Sequence, residues 1–559
     1  MTGFVAAAGR DEPVFTCDVR TFLERRSGTG HLVCDLELAT GEVRRFQIPT
    51  PRDDEILGRP GELARRYILA EIYNHLTTLG GFSLSVYVDR SRSALQHLVS
   101  QVLESLQLEV EPPYRSGVGR VLNVLDRMCV ALKPDGPRRF VVCVLDIGEL
   151  PGVSPPARPV SRGPERLVAA GRELSRKALL GIDVGGTSIK AALGVNGHLV
   201  DVISYDWNPA SCADVEEIVG PIVGIARSMR SILGRRSFDA VGLSFPDVVV
   251  QNRIVGGEVP KLAAMRANPR REFDDQFQKL TALNDRLAEF AGRSGVVVCV
   301  NDGPMAAFAA AVEIAAANSA RLERGVFAHT LGTDLGTGLV QSDGSVPEMP
   351  LEVYNLILDI GSDVARCRPA HDVRSSSNRN TGVPGTPQKL TSQAGMFRIA
   401  EEVLSQERPE LVEEIRRAGF VTTGEDGSLI VPEKPVDMRK EYQTYLGRMA
   451  ERDEAVAEVF RRFGEYLAVV YRESERLLQT GLEERVVLGG VIRVTRCFEL
   501  ISEGARRREP ELRLIAADSG LAATPLMREL ADREPGAVAQ FGLAIGAIYL
   551  ANATLLDGG

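Results

Sequence analysis

Gly181-Ile-Asp-Val-Gly-Gly-Thr-Ser-Ile-Lys190 is the stretch that decides how this chain is read. An apolar strand runs into an acidic residue, then two glycines and a hydroxyl, then a second strand. A tight Gly-Gly turn bares successive backbone N–H groups with no Cβ in the way, the arrangement an anion requires. Gly185 and Gly186 supply the turn, Thr187 adds a hydroxyl donor, and Lys190 places a cation beside it. Asp183 sits where it would hold Mg²⁺ through water, because Mg²⁺ sheds its hydration shell reluctantly. The P-loop pattern G-x-x-x-x-G-K-[ST] is absent, and this turn leads into a strand rather than a helix.

A related turn follows at Thr330-Leu-Gly-Thr-Asp-Leu-Gly-Thr-Gly338, between the apolar approach GVFAHT and a further apolar run. Two such hairpins, centred on Gly185 and Gly336, point to two lobes gripping one polyphosphate from both sides. Gly332 and Thr333 open the second turn, and Asp334 stands within it. A third turn, Arg485-Val-Val-Leu-Gly-Gly-Val491, places Gly489 and Gly490 at the end of a strand. Between the first two lies VVVCVNDGPMAAFAAAVE, a buried strand ending in Asn301-Asp302 with a helix starting at Gly303-Pro304. Pro suits the first helical turn, and Asp302 has a cap's chemistry. The functional reading makes Asp302 the acceptor of a proton from a substrate hydroxyl attacking a γ-phosphoryl group, with Asn301 bonded to a polyol.

In this order the motifs resemble the ROK (repressor, open reading frame, kinase) family of the sugar kinase/Hsp70/actin superfamily. The matching elements are the DVGGT turn, a strand ending in LSFPD, Asn-Asp before a helix, the second glycine turn, the LGG turn and a terminal Ala/Gly helix, FGLAIGAIYLAN. The resemblance covers residues 178–559. It implies an α/β fold of two ribonuclease-H-like lobes, the actin-like ATPase and sugar kinase fold, with ATP–Mg²⁺ in the cleft and phosphoryl transfer to a sugar hydroxyl. It assigns the catalytic base to Asp302 and sugar contacts to Asn301, with Glu352 as a second contact.

The departures from the family are specific. Its Pro-Gly after the fourth strand is Pro246-Asp247 here, which adds Asp247 to the candidate substrate residues. Its GTG turn reads Gly332-Thr333-Asp334. An acidic side chain beside a triphosphate repels it unless Mg²⁺ lies between them. Asp334 is therefore either a second metal-associated carboxylate or a residue that weakens nucleotide binding. The zinc motif Cys-x-Cys-Gly-x-x-Gly-Cys and the preceding Glu-x-Gly-His are missing, with Glu352-Val-Tyr354 as the nearest remnant, so no structural zinc is expected.

Composition bounds the rest. A chain of 559 residues is too long for one domain, and 44% hydrophobic with 25% charged residues is ordinary for globular proteins. The expected division is an α+β module of unknown role over 1–149 and a Pro/Gly/Ser/Arg-rich linker over 150–177. Kinase lobe 1 follows over 178–303, completed by a C-terminal helix over 536–559, and lobe 2 spans 304–535 with a polar, mobile loop near 368–394. Lys389 of that loop reads either as solvated or as reaching a phosphate. HLVCDLEL, EVRRFQI, FSLSVYVD and FVVCVLDI read as strands of the first module, and GELARRYILAEIYNHL and RSALQHLVSQVLESL as its helices. A net charge of −9 argues against a protein dominated by nucleic-acid binding. Cysteines with no C-x-x-C pair and scattered histidines form no metal signature. No basic, apolar leader opens the chain and no long uninterrupted apolar span is visible, so the expectation is a cytoplasmic protein without a membrane partner. A homodimer is compatible with the sequence. The function expected is an ATP-dependent carbohydrate kinase; the alternative is a non-catalytic regulator that senses sugar or nucleotide on the same fold.

Overall fold

The computed structural model describes residues 1–10, 12–106, 115–152, 163–234, 237–293, 295–322, 324–332, 334–362, 368–432, 438–479, 485–516 and 522–558. Its first sheet holds β1 (Gly30–Glu37), β2 (Val43–Thr50), β3 (Ser83–Val88) and β4 (Val141–Asp146) in the order β2-β1-β3-β4. Strand β1 runs antiparallel to both neighbours, and β4 is parallel to β3. Helices Gly61–Leu79 and Ser93–Ser105 form over the two stretches whose apolar spacing marked them.

The second sheet holds β5 (Ala178–Val184), β6 (Ser188–Val195), β7 (His198–Asp206) and β8 (Ala240–Phe245). A two-residue-stranded hairpin, β9 (Val249–Val250) and β10 (Arg253–Ile254), comes next, and then β11 (Val296–Asn301) completes the sheet in the order β11-β8-β5-β6-β7. Strands β5, β6 and β7 form an antiparallel meander, while β8 and β11 are parallel to β5. The third sheet holds β12 (Val326–Leu331) and β13 (Leu335–Val340). A separate small hairpin, β14 (Thr422–Thr423) and β15 (Leu429–Ile430), precedes the last strands β16 (Arg485–Leu488) and β17 (Leu514–Ala516). Its order is β13-β12-β16-β17, with β12 and β13 antiparallel and β16 and β17 added in parallel. Each lobe is thus a glycine-turned hairpin with parallel strands added beside its first strand. This is the ribonuclease-H-like plan, used twice.

Glycines set how closely the layers meet. A Cβ at Gly181 or Gly242, on β5 and β8, would lie 1.9 and 2.0 Å from the carbonyl oxygens of Ala544 and Ala547. Only glycine lets the helix Ala537–Asp557 settle that low on the lobe 1 sheet. This helix is long and apolar enough to cross a membrane by length and composition, and its apolar side chains, Phe541, Ile545, Ile548 and Tyr549 among them, are buried in the protein core. The helix Asp302–Asn318 lies between the lobes. A Cβ at Gly303 would sit 2.5 Å from the Thr337 carbonyl, and one at Gly546 would sit 2.7 Å from the Ala309 Cβ.

The N-terminal module shares one hydrophobic core with lobe 2, running from Leu32, Ile68 and Tyr67 to Phe460, Leu467 and Tyr471 of the helix Glu454–Leu478. Inside this core Arg20 donates to Glu71 at 2.8 Å and to Glu473 at 2.6 Å, and Arg476 lies 2.9 Å from Glu71 and 3.3 Å from Glu473. Two buried carboxylates are thereby matched by two guanidiniums, which is the condition under which burying such charges is tolerated.

The polar segment expected to be a mobile loop is packed instead. Ser375, Asn378, Thr386 and Lys389 are buried, and the Asn378 amide donates to Asn355 Oδ1 at 3.1 Å and to Thr386 Oγ1 at 3.2 Å. Lys389 is neither solvated nor turned toward a phosphate: its ammonium donates to the Ala370 carbonyl at 2.8 Å and lies 3.4 Å from the Asp372 carbonyl. Polar composition signalled a loop correctly, but mutual hydrogen bonding removed the need for water.

Candidate active site

The first glycine turn joins β5 to β6. Gly185 N–H donates to the Ser188 carbonyl at 2.9 Å, and Gly186 and Thr187 are exposed. Trp207, the one tryptophan of the chain, braces the turn from outside: its Nε1 donates to the Gly185 carbonyl at 3.0 Å and its backbone N–H to Thr187 at 3.1 Å. Asp183, next to last in β5, stands directly opposite Lys190 in the ladder. Ser244 Oγ donates to Asp183 Oδ1 at 2.9 Å, and Lys190 Nζ stands 3.9 Å from Oδ2. Burial raises the Asp183 carboxyl above its ordinary range, while Lys190, Ser244 and Lys261 pull it back.

Asp302 opens the helix between the lobes. The cap is Asn301, not Asp302: Asn301 Oδ1 accepts from Gly303 N–H at 3.0 Å, and its Nδ2 donates to the Asp247 carbonyl at 2.8 Å. The Asp302 carboxyl is itself drawn on by backbone N–H groups at the helix start, its own and that of Gly303. Burial raises it, the charge of Lys261 opposes that rise, and Asp334 adds to it. Asp302 and Asp183 sense each other electrostatically, and both sense Lys261. A Cβ built on Gly186 would lie 3.3 Å from Lys261 Cε, and one on Gly336 would lie 3.9 Å from Gly303 Cα. The two glycine turns and Asp302 therefore face one cleft.

On the lobe 2 side, Gly332 N–H donates to the Asp334 carbonyl at 3.2 Å, and Gly332 accepts from Gln393 N–H at 2.8 Å. Asp334 is exposed and its Oδ1 accepts from Gln388 Nε2 at 2.8 Å. Thr333 lies outside the described residues. Gly489 has φ +103°, and a Cβ there would sit 2.4 Å from the Leu331 carbonyl, so the turn after β16 requires glycine. Gly490 and Gly332 line a cavity of about 520 Å³ with Gln443, Arg439, Lys440 and Arg493. Arg439, Lys440 and Arg493 make its rim cationic.

The acceptor-side residues behave differently from one another. Asp247, expected to contact substrate, is turned onto its own loop: Oδ1 accepts from Val248 N–H at 2.8 Å and Oδ2 from Gly257 N–H at 2.7 Å, and the residue is 3% exposed. Its burial, partly offset by those two bonds, pushes its pKa up to about 6. Glu352 is held by Asn355 Nδ2 at 3.2 Å, and burial, reinforced by the charges of Asp247 and Asp302 against a Tyr354 hydrogen bond, pushes its carboxyl up to about 8. The N-terminal module anchors it, because Leu351 and Glu352 N–H groups donate to the Thr78 and Thr77 carbonyls at 3.0 and 3.2 Å. Tyr73, Thr77 and Arg120 of that module, Glu258 of lobe 1 and Glu352 and Tyr354 of lobe 2 line a cavity of about 40 Å³.

Sequence reading missed Lys261, Ser244, Trp207 and the arginines of the N-terminal module. Lys261 alone left a signal, as a lysine three residues past Glu258 in a Gly-Gly loop of a lysine-poor chain.

No known family model and no curated protein matches the chain. Among solved structures it is similar to a ROK family glucokinase from Streptomyces griseus in complex with glucose and AMPPNP. Identity there is 17%, over 67% of this chain and 99% of that one, with a TM-score of 0.40. It is similar to a ROK hexokinase from Thermus thermophilus at 19% identity, over 68% of this chain and all of that one, with a TM-score of 0.42. A ROK family transcriptional regulator, a homolog of the E. coli MLC protein, is similar at 15% identity over 67% of this chain and 81% of that one, with a TM-score of 0.41. Identities this low bear on fold alone.

Proposed function

We propose that the chain is an ATP-dependent kinase of the ROK type that transfers a γ-phosphoryl group to a sugar or polyol hydroxyl. Lobe 1 would comprise 178–303 with 536–559, and lobe 2 304–535. The observation that carries the reading is the position of Asp302: a half-buried carboxyl at the first turn of the interlobe helix, facing the cleft that both glycine turns share.

Asp302 would accept the acceptor's hydroxyl proton as the new oxygen–phosphorus bond forms and the bond to the departing diphosphate breaks. A raised carboxyl suits a base that must take a proton near neutral pH. Gly185, Gly186, Thr187 and Lys190 would hold donor phosphates from one side, and Gly332, Thr333 and Gly336 from the other. Gly489 and Gly490 shape the nucleoside end. Bound Mg²⁺ supplies charge neutralisation on the donor phosphates. Asp183 and, across the cleft, Asp334 would hold it through water. On the acceptor side, Glu352, carrying its proton at neutral pH, would donate to a substrate oxygen, and Asn301 keeps one amide N–H for another.

A second reading, a sensor that binds ligand without turnover, is favoured by the small cavity beside Glu352, which neither Asn301 nor Asp302 lines. At about 40 Å³ it holds a few waters and no hexose until the module or a lobe shifts.

The test is thermal shift with Mg-ATP and a sugar panel, followed by turnover assays on wild type and Asp302→Asn. Mg-ATP should raise the melting temperature of both proteins. Turnover should fall about 10²–10⁴-fold in the variant. Near wild-type turnover by Asp302→Asn would remove the base from the mechanism, and ligand binding with no turnover on any acceptor would favour the sensor.

A further inference from the structure

We propose that Lys261 is a catalytic residue, the cation that faces the transferring phosphoryl group from the acceptor loop and stabilises the charge that develops there. The proposal rests on the phosphotransfer reading above, and its test separates the two.

The geometry is that of a lysine whose backbone is fixed and whose ammonium is uncommitted. Three consecutive carbonyls of the preceding loop are each held by a different guanidinium. Arg127 donates to Gly256 at 2.7 Å, Arg266 to Gly257, and Arg120 to Glu258 at 2.8 Å. Arg127 and Arg120 also pair with the Glu258 carboxylate at 2.8 and 3.1 Å. From the other side the Asp247 carboxylate takes the Gly257 N–H. Pro260 then opens a single helical turn, Pro260–Leu262, pinned by the buried Leu262 side chain. The next side chain in this clamp is Lys261. Its stem passes the exposed Gly186 of the first turn, where a Cβ would come within 3.3 Å of Cε.

Around that ammonium stand Asp183 and Asp302, each of whose charged forms Lys261 favours. Yet among the described residues Lys261 makes no ion pair and no hydrogen bond. Lys190 satisfies Asp183 from the ladder, and Ser244 takes its other oxygen, so Lys261 is not needed to complete that site. A half-buried cation beside an anion-binding turn and a base, with no partner of its own, is placed for an anionic ligand group. In phosphoryl transfer, charge spreads over the equatorial oxygens of the moving group, and a preorganised cation there acts without changing protonation. The acceptor's proton goes to Asp302.

Two of the three clamping arginines, Arg120 and Arg127, come from the N-terminal module, whose role the sequence left open. They are positioning residues: they touch neither donor nor acceptor, but they fix the loop that presents Lys261.

The experiment uses the full-length chain, which has eight lysines (133, 177, 190, 261, 279, 389, 434 and 440), few enough to resolve individually. Lysines are reductively methylated with and without Mg-ATP and quantified by mass spectrometry, with Trp207 fluorescence reporting nucleotide binding. Lys261→Met and Lys261→Arg are assayed for kcat and Mg-ATP affinity. Mg-ATP should slow modification of Lys261 at least about fivefold while the exposed Lys279 is unaffected. Lys261→Met should lower kcat about 10²–10³-fold with affinity changed less than about tenfold, and Lys261→Arg should recover part of the rate. Unprotected Lys261 in a protein that binds Mg-ATP, or kcat of Lys261→Met within threefold of wild type, overturns the proposal alone. Protection without turnover on any acceptor upholds the contact and overturns only the kinase reading. A wild type in which neither Trp207 nor Lys261 responds to Mg-ATP overturns both.

Discussion

The indole N–H of Trp207 donates to the carbonyl oxygen of Gly185 at 3.0 Å, tying the chain's single tryptophan to the turn proposed to hold phosphate. Any ligand that settles on Gly185–Thr187 changes the surroundings of that indole. Intrinsic fluorescence should therefore change saturably with Mg-ATP and be unmoved by sugar alone. A flat titration over a range where thermal shift shows binding would place the nucleotide elsewhere.

The two glycines of this turn should not be equivalent. A Cβ at Gly185 meets the Ser188 carbonyl at 2.8 Å, a backbone atom already bonded to Gly185 N–H, whereas one at Gly186 meets only the flexible Lys261 stem at 3.3 Å. Gly185→Ala should weaken Mg-ATP binding at least about tenfold, roughly 1.4 kcal/mol. Gly186→Ala should cost less. Calorimetric titration of both variants decides it, and equal losses would contradict the turn geometry.

Gly338 carries the contact between the interlobe helix and the second hairpin. A Cβ there would meet Ala307 Cβ at 2.4 Å and the Gly303 carbonyl at 2.5 Å. Gly338→Ala should destabilise the protein by about 1–3 kcal/mol through overpacking, read as a lower urea midpoint with unchanged slope. It should also reduce turnover, because Asp302 adjoins Gly303. A stable, fully active variant would show that the helix can retreat freely.

The buried pairs of Arg20 and Arg476 with Glu71 and Glu473 join the N-terminal module to lobe 2. Arg20→Met leaves carboxylates short of a partner and should cost about 3–5 kcal/mol by chemical denaturation. Since the partners hold Glu473 below its ordinary range despite burial, its contribution is present above about pH 4.5 and is lost as pH falls through the depressed value. A fragment beginning at residue 163 exposes half of this core and should aggregate. A soluble, cooperatively folding fragment would show the module to be dispensable.

Glu352 titrates in the opposite sense. Its folded-state carboxyl is pushed up to about 8, so the unfolded chain gives up this proton near pH 4.5 while the folded chain retains it. Stability from this group is therefore full below about pH 4.5, declines as pH rises toward 8, and levels off beyond. Glu352→Gln should remove that decline, gaining on wild type by on the order of 1–4 kcal/mol by pH 8. Parallel stability–pH curves for the two proteins would contradict the buried, protonated assignment.

Some of this was legible in the linear chain because its physics is local. The turn at Gly185-Gly186 is set by neighbouring residues: absent Cβ atoms, flanking apolar strands and a hydroxyl. The register that puts Asp183 opposite Lys190 follows from closing that hairpin tightly. The strand Val296–Asn301 and the helix after it announced themselves through β-branched residues and a Gly-Pro step. Where reading failed, a side chain's environment was the missing quantity. Asp247 has the chemistry of a substrate contact, yet two backbone N–H groups claim it. The stretch around Asn378 and Lys389 has the composition of a solvated loop, yet its polar groups satisfy one another.

The sequence by itself determined the α/β plan, the twin glycine hairpins and the carboxylate after the Val-rich strand, since each depends on propensities and spacings within a few residues. Only the tertiary structure decided that Lys261 stands beside Gly186, that Arg120 and Arg127 of a distant module clamp its loop, and that Leu351 and Glu352 hang from the carbonyls of Thr78 and Thr77. Those relations join segments far apart in the chain. Electrostatics and hydrogen bonding act through space, so no periodicity along the backbone encodes them.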